Sequence, residues 1–170
     1  DIANKFNANY GDVFILPEPD IVEKTQLIPG TDGQKMSKSY NNTIPIFGEE
    51  DFIRKNVMRI KTDNTPINEP KNKDTALFYL YSLFASDNEK LILSKKYDTP
   101  GLRYGDVKLE LFQKIMDYFA PYREERAILQ SKPDYIRDIL NTGAEKAKVI
   151  ASQTLDKVKT LIGLGFANGL

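Results

Sequence analysis

The strongest constraint on the fold of this chain is a change of texture near residue 47. Before it, apolar residues come only in short runs cut by proline; after it, they recur at helical spacing almost to the end. Val13 to Leu16 stops at Pro17, and Gln26-Leu27-Ile28 stops at Pro29. Apolar runs this short, bounded by breakers, read as buried strands. Each proline also biases its predecessor toward extended chain. Ile2, Ala3 and Phe6 add a helix over 2–9, closed by Tyr10-Gly11-Asp12.

From Gly48 the pattern is helical. Glu49, Glu50 and Asp51 place negative charge at a helix start, ahead of Phe52, Ile53, Val57 and Met58. Residues 62–73 are polar and proline-containing, a loop without a core of its own. Residues 74–85 form a buried helix, and Ser86-Asp87-Asn88-Glu89 is a capping box opening another through Lys96. A long amphipathic helix over 106–129 directs Val107, Leu111, Ile115, Phe119 and Tyr122 to the core and is kinked by Pro121. A short helix follows Pro133, carrying Tyr135, Ile136, Ile139 and Leu140. A second capping box, Thr142-Gly143-Ala144-Glu145, opens the last helix. Its stripe of Ala147, Ile150, Ala151, Thr154, Leu155, Val158, Leu161 and Ile162 is expected to pack in the core.

Composition narrows the chemistry. The 170 residues hold 24 basic and 24 acidic side chains, so no global field marks the chain for nucleic acid and any RNA contact is local. No apolar run approaches the roughly 20 residues that span a bilayer. There is no histidine or cysteine, which removes a zinc site of the usual kind, a histidine base and any disulfide, and fits a cytoplasmic location. The chain starts at Asp1 on what reads as a helix already under way, as a piece of a longer protein would.

The residues with chemistry lie together in Gly30-Thr31-Asp32-Gly33-Gln34-Lys35-Met36-Ser37-Lys38-Ser39. Two lysines three residues apart, with hydroxyls beside them, can neutralise and hydrogen-bond a polyphosphate. Gly30 and Gly33 permit the positive-φ turns of a swinging loop. Most loops of this composition are solvated connectors. The P-loop pattern fails here, because its second glycine would fall on Lys35, and no G-x-G-x-x-G occurs. The five residues Lys35 to Ser39 instead spell KMSKS, the signature of class I aminoacyl-tRNA synthetases.

The surrounding "DIANKFNANYGDVFILPEPDI", "IPGTDGQKMSKSYNNTIPIF" and "GAEKAKVIASQTLDKVKTLIGLGF" together resemble the bacterial tryptophanyl-tRNA synthetases over nearly the whole chain. The resemblance implies a mainly α fold. Residues 1–47 would be the last strands and KMSKS loop of a Rossmann-like α/β catalytic domain, and residues 48–170 a helical bundle-like domain that binds the tRNA anticodon. It implies that tryptophan is activated with ATP, with Mg2+ carried by the ATP, to tryptophanyl-adenylate and pyrophosphate, and is then transferred to tRNA(Trp). Carried over by motif, Lys35 and Lys38 are the catalytic pair, Ser37 and Ser39 supply hydroxyls, and Met36 packs the loop. Main chain near Gln26 would line the adenine. The family's HIGH motif needs histidine, so it and the tryptophan pocket would belong to an N-terminal half, and this piece alone is expected to be inactive.

RNA-reading candidates are Arg54, Lys55, Arg59, Lys61, Tyr97, Arg103, Tyr104, Arg123 and Arg126, although basic residues on amphipathic helices are commonly a solvated face. The family forms homodimers. Two other readings stay open: a non-catalytic tRNA-binding module, and another class I synthetase such as the tyrosine enzyme.

Overall fold

In a computed structural model, described for residues 1–22 and 25–164, the chain is mainly helical. Among the described residues, six α-helices run α1 Ile2–Tyr10, α2 Glu50–Met58, α3 Ala76–Leu83, α4 Asp87–Asp98, α5 Tyr104–Gln130 and α6 Pro133–Leu161. A 3-10 turn covers Lys38–Tyr40. By contact the chain divides into two compact units, residues 21–127 and residues 1–20 with 128–170. Residues 21–47, with the lysine loop, thus pack with the helices that follow and not as a body of their own.

Neither expected strand forms among the described residues. Residues 13–16 are irregular, with Ile15 almost fully exposed, and residues 26–28 are a bend and coil. The sole ladder contact described is an isolated antiparallel bridge between Pro29 and Lys35. A strand needs a neighbour along its length to take its backbone hydrogen bonds, and among the described residues these runs have at most the single contact of Met36 N–H with the Ile28 carbonyl. The 13–14 turn is held instead by Asn7, whose Oδ1 accepts from Val13 and Phe14 N–H while its Nδ2 donates to the Phe14 carbonyl.

In the larger unit, each helix feeds one core from residues three or four apart. These are Ile53 and Val57 of α2, Leu77, Leu80 and Tyr81 of α3, Leu93 and Tyr97 of α4, and Val107, Leu111, Phe112 and Ile115 of α5. Burial of each such side chain contributes about 1.5–3 kcal/mol. Phe119 packs against this core, but Tyr122 lies exposed beside Tyr118, because the α5 stripe outruns the helices that cover it. The helix itself runs through Pro121 without interruption. Loop 62–73 does acquire an anchor: buried Lys71 donates from Nζ to the carbonyls of Thr65 and Pro66 and lies 5.3 Å from the Tyr104 ring centre.

The capping box at Ser86 and Glu89 forms as expected, and Glu89 also pairs with Lys114 of α5. Lys114 first, then Ser86, hold the Glu89 carboxyl down to about 2 from its ordinary 4.5. A carboxylate lowered in the folded state stabilises the fold fully above pH 4.5, and that contribution disappears as pH falls toward 2. Replacing Glu89 by glutamine should therefore lower Tm at neutral pH and flatten its acid slope. Thermal melts from pH 6 to about 2 check this, and an unchanged slope refutes it.

The C-terminal segment departs most from expectation. No cap forms at Thr142, and α6 is continuous across it for 29 residues. A capping box acts only where the preceding turn is absent; inside a helix those N–H groups already have partners four residues back. None of α6 is buried: Thr154 and Val158 are partly covered, while Ile150 is 69% and Leu155 49% exposed. The stripe is real, but it is not core of the described chain.

Candidate functional site: the lysine loop

Backbone hydrogen bonds close residues 28–42 into a shaped loop. Met36 N–H donates to the Ile28 carbonyl (2.8 Å), Gly30 N–H to Gln34 (2.6 Å) and Thr31 N–H to Asn42 (2.8 Å). A tight turn joins Gly30 to Gly33, with Gly33 at φ 86°, and Asp32 Oδ1 accepts from Gln34 N–H. The two glycines thus serve different ends. Only Gly33 has the positive φ expected of both. Gly30 is needed for closeness, because a Cβ there would lie 2.4 Å from the Asn42 amide.

Inside the loop, Thr31 and Asn42 are buried, and the Lys61 N–H donates to the Thr31 carbonyl at 2.7 Å, fastening the loop base just beyond α2. Asn42, with αL Asn41 before it, closes the far side. The Asn42 hydrogen bond leads in holding the Asp32 carboxyl below the usual range, with Lys61 adding a smaller attraction. Nothing in the sequence sets Asn42 apart from its polar neighbours; its role depends on burial.

Lys35 and Lys38 are exposed, and neither forms an ion pair with another described residue. Ser37 and Ser39 are hydrogen-bonded to each other through their hydroxyls (2.8 Å), and Met36 is partly buried. Such a loop offers two free cations and two hydroxyls on a fixed backbone, a donor set suited to a polyphosphate. Gln26 is exposed on the approach, two residues before the Ile28 carbonyl that anchors Met36.

The RNA-reading candidates separate. Arg54, Lys55, Arg59 and Lys61 are exposed on and just after α2, with Arg59 within 3.4 Å of Asn56 Oδ1. Tyr97 is fully buried against Phe78, and burial pushes its hydroxyl pKa upward, so it is a core residue and not a base-stacking platform. Tyr104 is engaged too, donating to Asp63 at 2.8 Å, and burial leads in pushing it up to about 12. Arg123 donates to the carbonyls of Ile46 and Met116, and Arg126 sits 5.0 Å from the Phe47 ring centre, so both fasten the 46–47 segment to α5. Arg103 is exposed in a groove of about 570 Å³ that also includes Lys95, Lys96, Ile92, Leu102 and Val107. Lys95 and Lys96 carried no sequence signal beyond an ordinary solvated helix face.

The family of class I tRNA synthetases (W and Y) matches residues 1–120, and the chain belongs to it. Similar curated proteins include the tryptophan–tRNA ligases of Fusobacterium nucleatum, 45% identical over 96% of this chain and 51% of the relative, and of Rhodopirellula baltica, 44% identical over 96% and 52%. The crystal structure of tryptophanyl-tRNA synthetase from Campylobacter jejuni complexed with ADP and tryptophan superposes with a TM-score of 0.79 at 38% identity, over 96% of this chain and 51% of that one. The chain spans about half the length of the relatives it matches.

Proposed function

We propose that this chain is the C-terminal half of a tryptophan–tRNA ligase, with residues 1–47 completing a Rossmann-like catalytic domain and residues 48–170 forming the anticodon-binding domain. In the full-length enzyme, a carboxylate oxygen of tryptophan attacks the α-phosphorus of ATP. The bond to the bridging oxygen breaks, giving tryptophanyl-adenylate and pyrophosphate, and the tryptophanyl group then passes to tRNA(Trp) with release of AMP.

The observation that carries this reading is the letter-for-letter KMSKS on a loop whose two lysines are exposed and unpaired among the described residues. Lys35 and Lys38 stabilise the charge that builds on the departing pyrophosphate. Ser37 and Ser39 can exchange their mutual hydrogen bond for phosphate oxygens, Met36 packs the loop, and Gln26 lies at the edge of the adenine site. Any Mg2+ enters on the ATP phosphates. The exposed cations of α2 and the Arg103 groove support tRNA contact by the helical domain. The full-length enzyme is a cytoplasmic homodimer in this reading.

With no histidine in the chain, the HIGH motif and the tryptophan pocket lie in the other half. A tryptophan-dependent ATP–pyrophosphate exchange assay tests this: the 170-residue chain should give no exchange, and the full-length protein should exchange. Exchange by the chain alone, or none by the full-length protein, refutes it.

A further inference from the structure

We propose that Asn42 is the positioning residue of the lysine loop, setting the backbone from which Lys35 and Lys38 reach phosphate; this rests on the loop being the ATP-phosphate clamp. Asn42 is 2% exposed, and both ends of its side-chain amide are hydrogen-bonded. Its Oδ1 accepts from Ser37 N–H at 2.8 Å, and its Nδ2 donates to Asp32 Oδ1 at 2.8 Å and to the Lys35 carbonyl at 3.1 Å. Its own carbonyl accepts from Thr31 N–H at 2.8 Å. One side chain therefore ties the turn at Asp32 to the main chain of Lys35 and Ser37, the first lysine of the motif and the residue just before the second.

The isosteric and homologous replacements fail these demands. Aspartate would accept from Ser37 but would set a second carboxylate against Asp32 and against the Lys35 carbonyl, where only a donor fits. Leucine would leave the partly buried Ser37 N–H without its partner. Glutamine is one methylene too long, because Gly30 is packed so tightly against the amide that even a Cβ there has no room. Gly30 and Asn42 form a matched pair, the glycine making the space that the amide fills.

Phosphate charge is stabilised best when the backbone carrying the donors holds them within reach of where it develops, and misplacement by about 1 Å can cost on the order of 10²-fold in rate. In the full-length enzyme, Asn42→Ala should lower kcat for pyrophosphate exchange by about that factor, with a smaller change in KM for tryptophan. Transfer from preformed adenylate to tRNA, which has already lost the pyrophosphate, should stay near the unaltered rate. Gly30→Ala should reproduce this split, since its methyl displaces the amide. Asn42→Asp should be as poor as Asn42→Ala, because its carboxylate would face both Asp32 and the Lys35 carbonyl.

If Lys35→Ala lowers exchange but Asn42→Ala does not, the positioning role is overturned while the clamp stands. If Asn42→Ala lowers exchange and transfer alike, Asn42 serves only the fold, and the proposal is again overturned. If Lys35→Ala itself leaves exchange unchanged, the clamp reading fails and takes this inference with it.

Discussion

In the full-length protein, acting as the proposed tryptophan–tRNA ligase, replacing Lys35 or Lys38 by alanine should lower kcat for adenylate formation by more than it raises KM for ATP, costing about 2–4 kcal/mol of transition-state stabilisation for each lysine. The expected split follows from where the charge is. ATP already carries its phosphates in the ground state, and either lysine can attract them there. The bond to the leaving pyrophosphate breaks only in the transition state, however, and the negative charge moves onto the oxygens a lysine must meet. A compact ammonium on a flexible stem can follow that movement, whereas a guanidinium demands one planar geometry. Lys35→Arg should therefore recover less than conservation of charge suggests. Steady-state exchange kinetics with varied ATP decide the matter, and an equal rise in KM at constant kcat would make the lysines simple binding groups.

The second large effect concerns the fold. Leu111 lies fully buried at the centre of the α5 stripe, in the core built with α2, α3 and α4. Leu111→Ala should destabilise the larger unit by about 2–5 kcal/mol, the lost transfer energy plus the cavity left behind. Tyr122, placed by its spacing on the same stripe, is 56% exposed, so Tyr122→Ala should change stability by only about 0.5 kcal/mol. Urea denaturation of the two variants, followed by circular dichroism, measures both. A small loss for Leu111 or a large one for Tyr122 would contradict the position of the core. The pair makes a direct test because the helical pattern alone ranks the two residues alike.

Helix existence was largely legible in the sequence because its causes are local. Ser86 and Glu89 cap α4 using atoms three residues apart, and Ile53 and Val57 share a face whatever surrounds them. Strand formation is different, since the hydrogen bonds of a strand belong to a partner. Val13 to Leu16 and Gln26 to Ile28 have strand-like composition, yet no partner strand accompanies them among the described residues. The Thr142–Glu145 pair misled for the opposite reason: its local pattern suits a helix start, but the turn before it is already helical, so there is nothing to cap. Arg123 and Arg126 looked like exposed cations on an amphipathic helix, and their contacts with Ile46 and Phe47 cross more than 70 residues of chain that no periodicity reports.

By itself the sequence determined the chemistry available to this protein: two lysines and two hydroxyls in KMSKS order, no histidine to work beside them, and helices with caps and apolar faces written into neighbouring residues. Tertiary structure decided which of those faces became core, that the α6 stripe stays uncovered within the described chain, and that Gly30 serves to admit a buried amide and not to turn the chain. It also decided that Asn42, unremarked in a polar stretch, meets the loop at Asp32, Lys35 and Ser37 at once. The physical reason is range. Backbone propensity and capping act over one helical turn, whereas burial and the satisfaction of buried hydrogen bonds depend on residues brought together from distant parts of the chain.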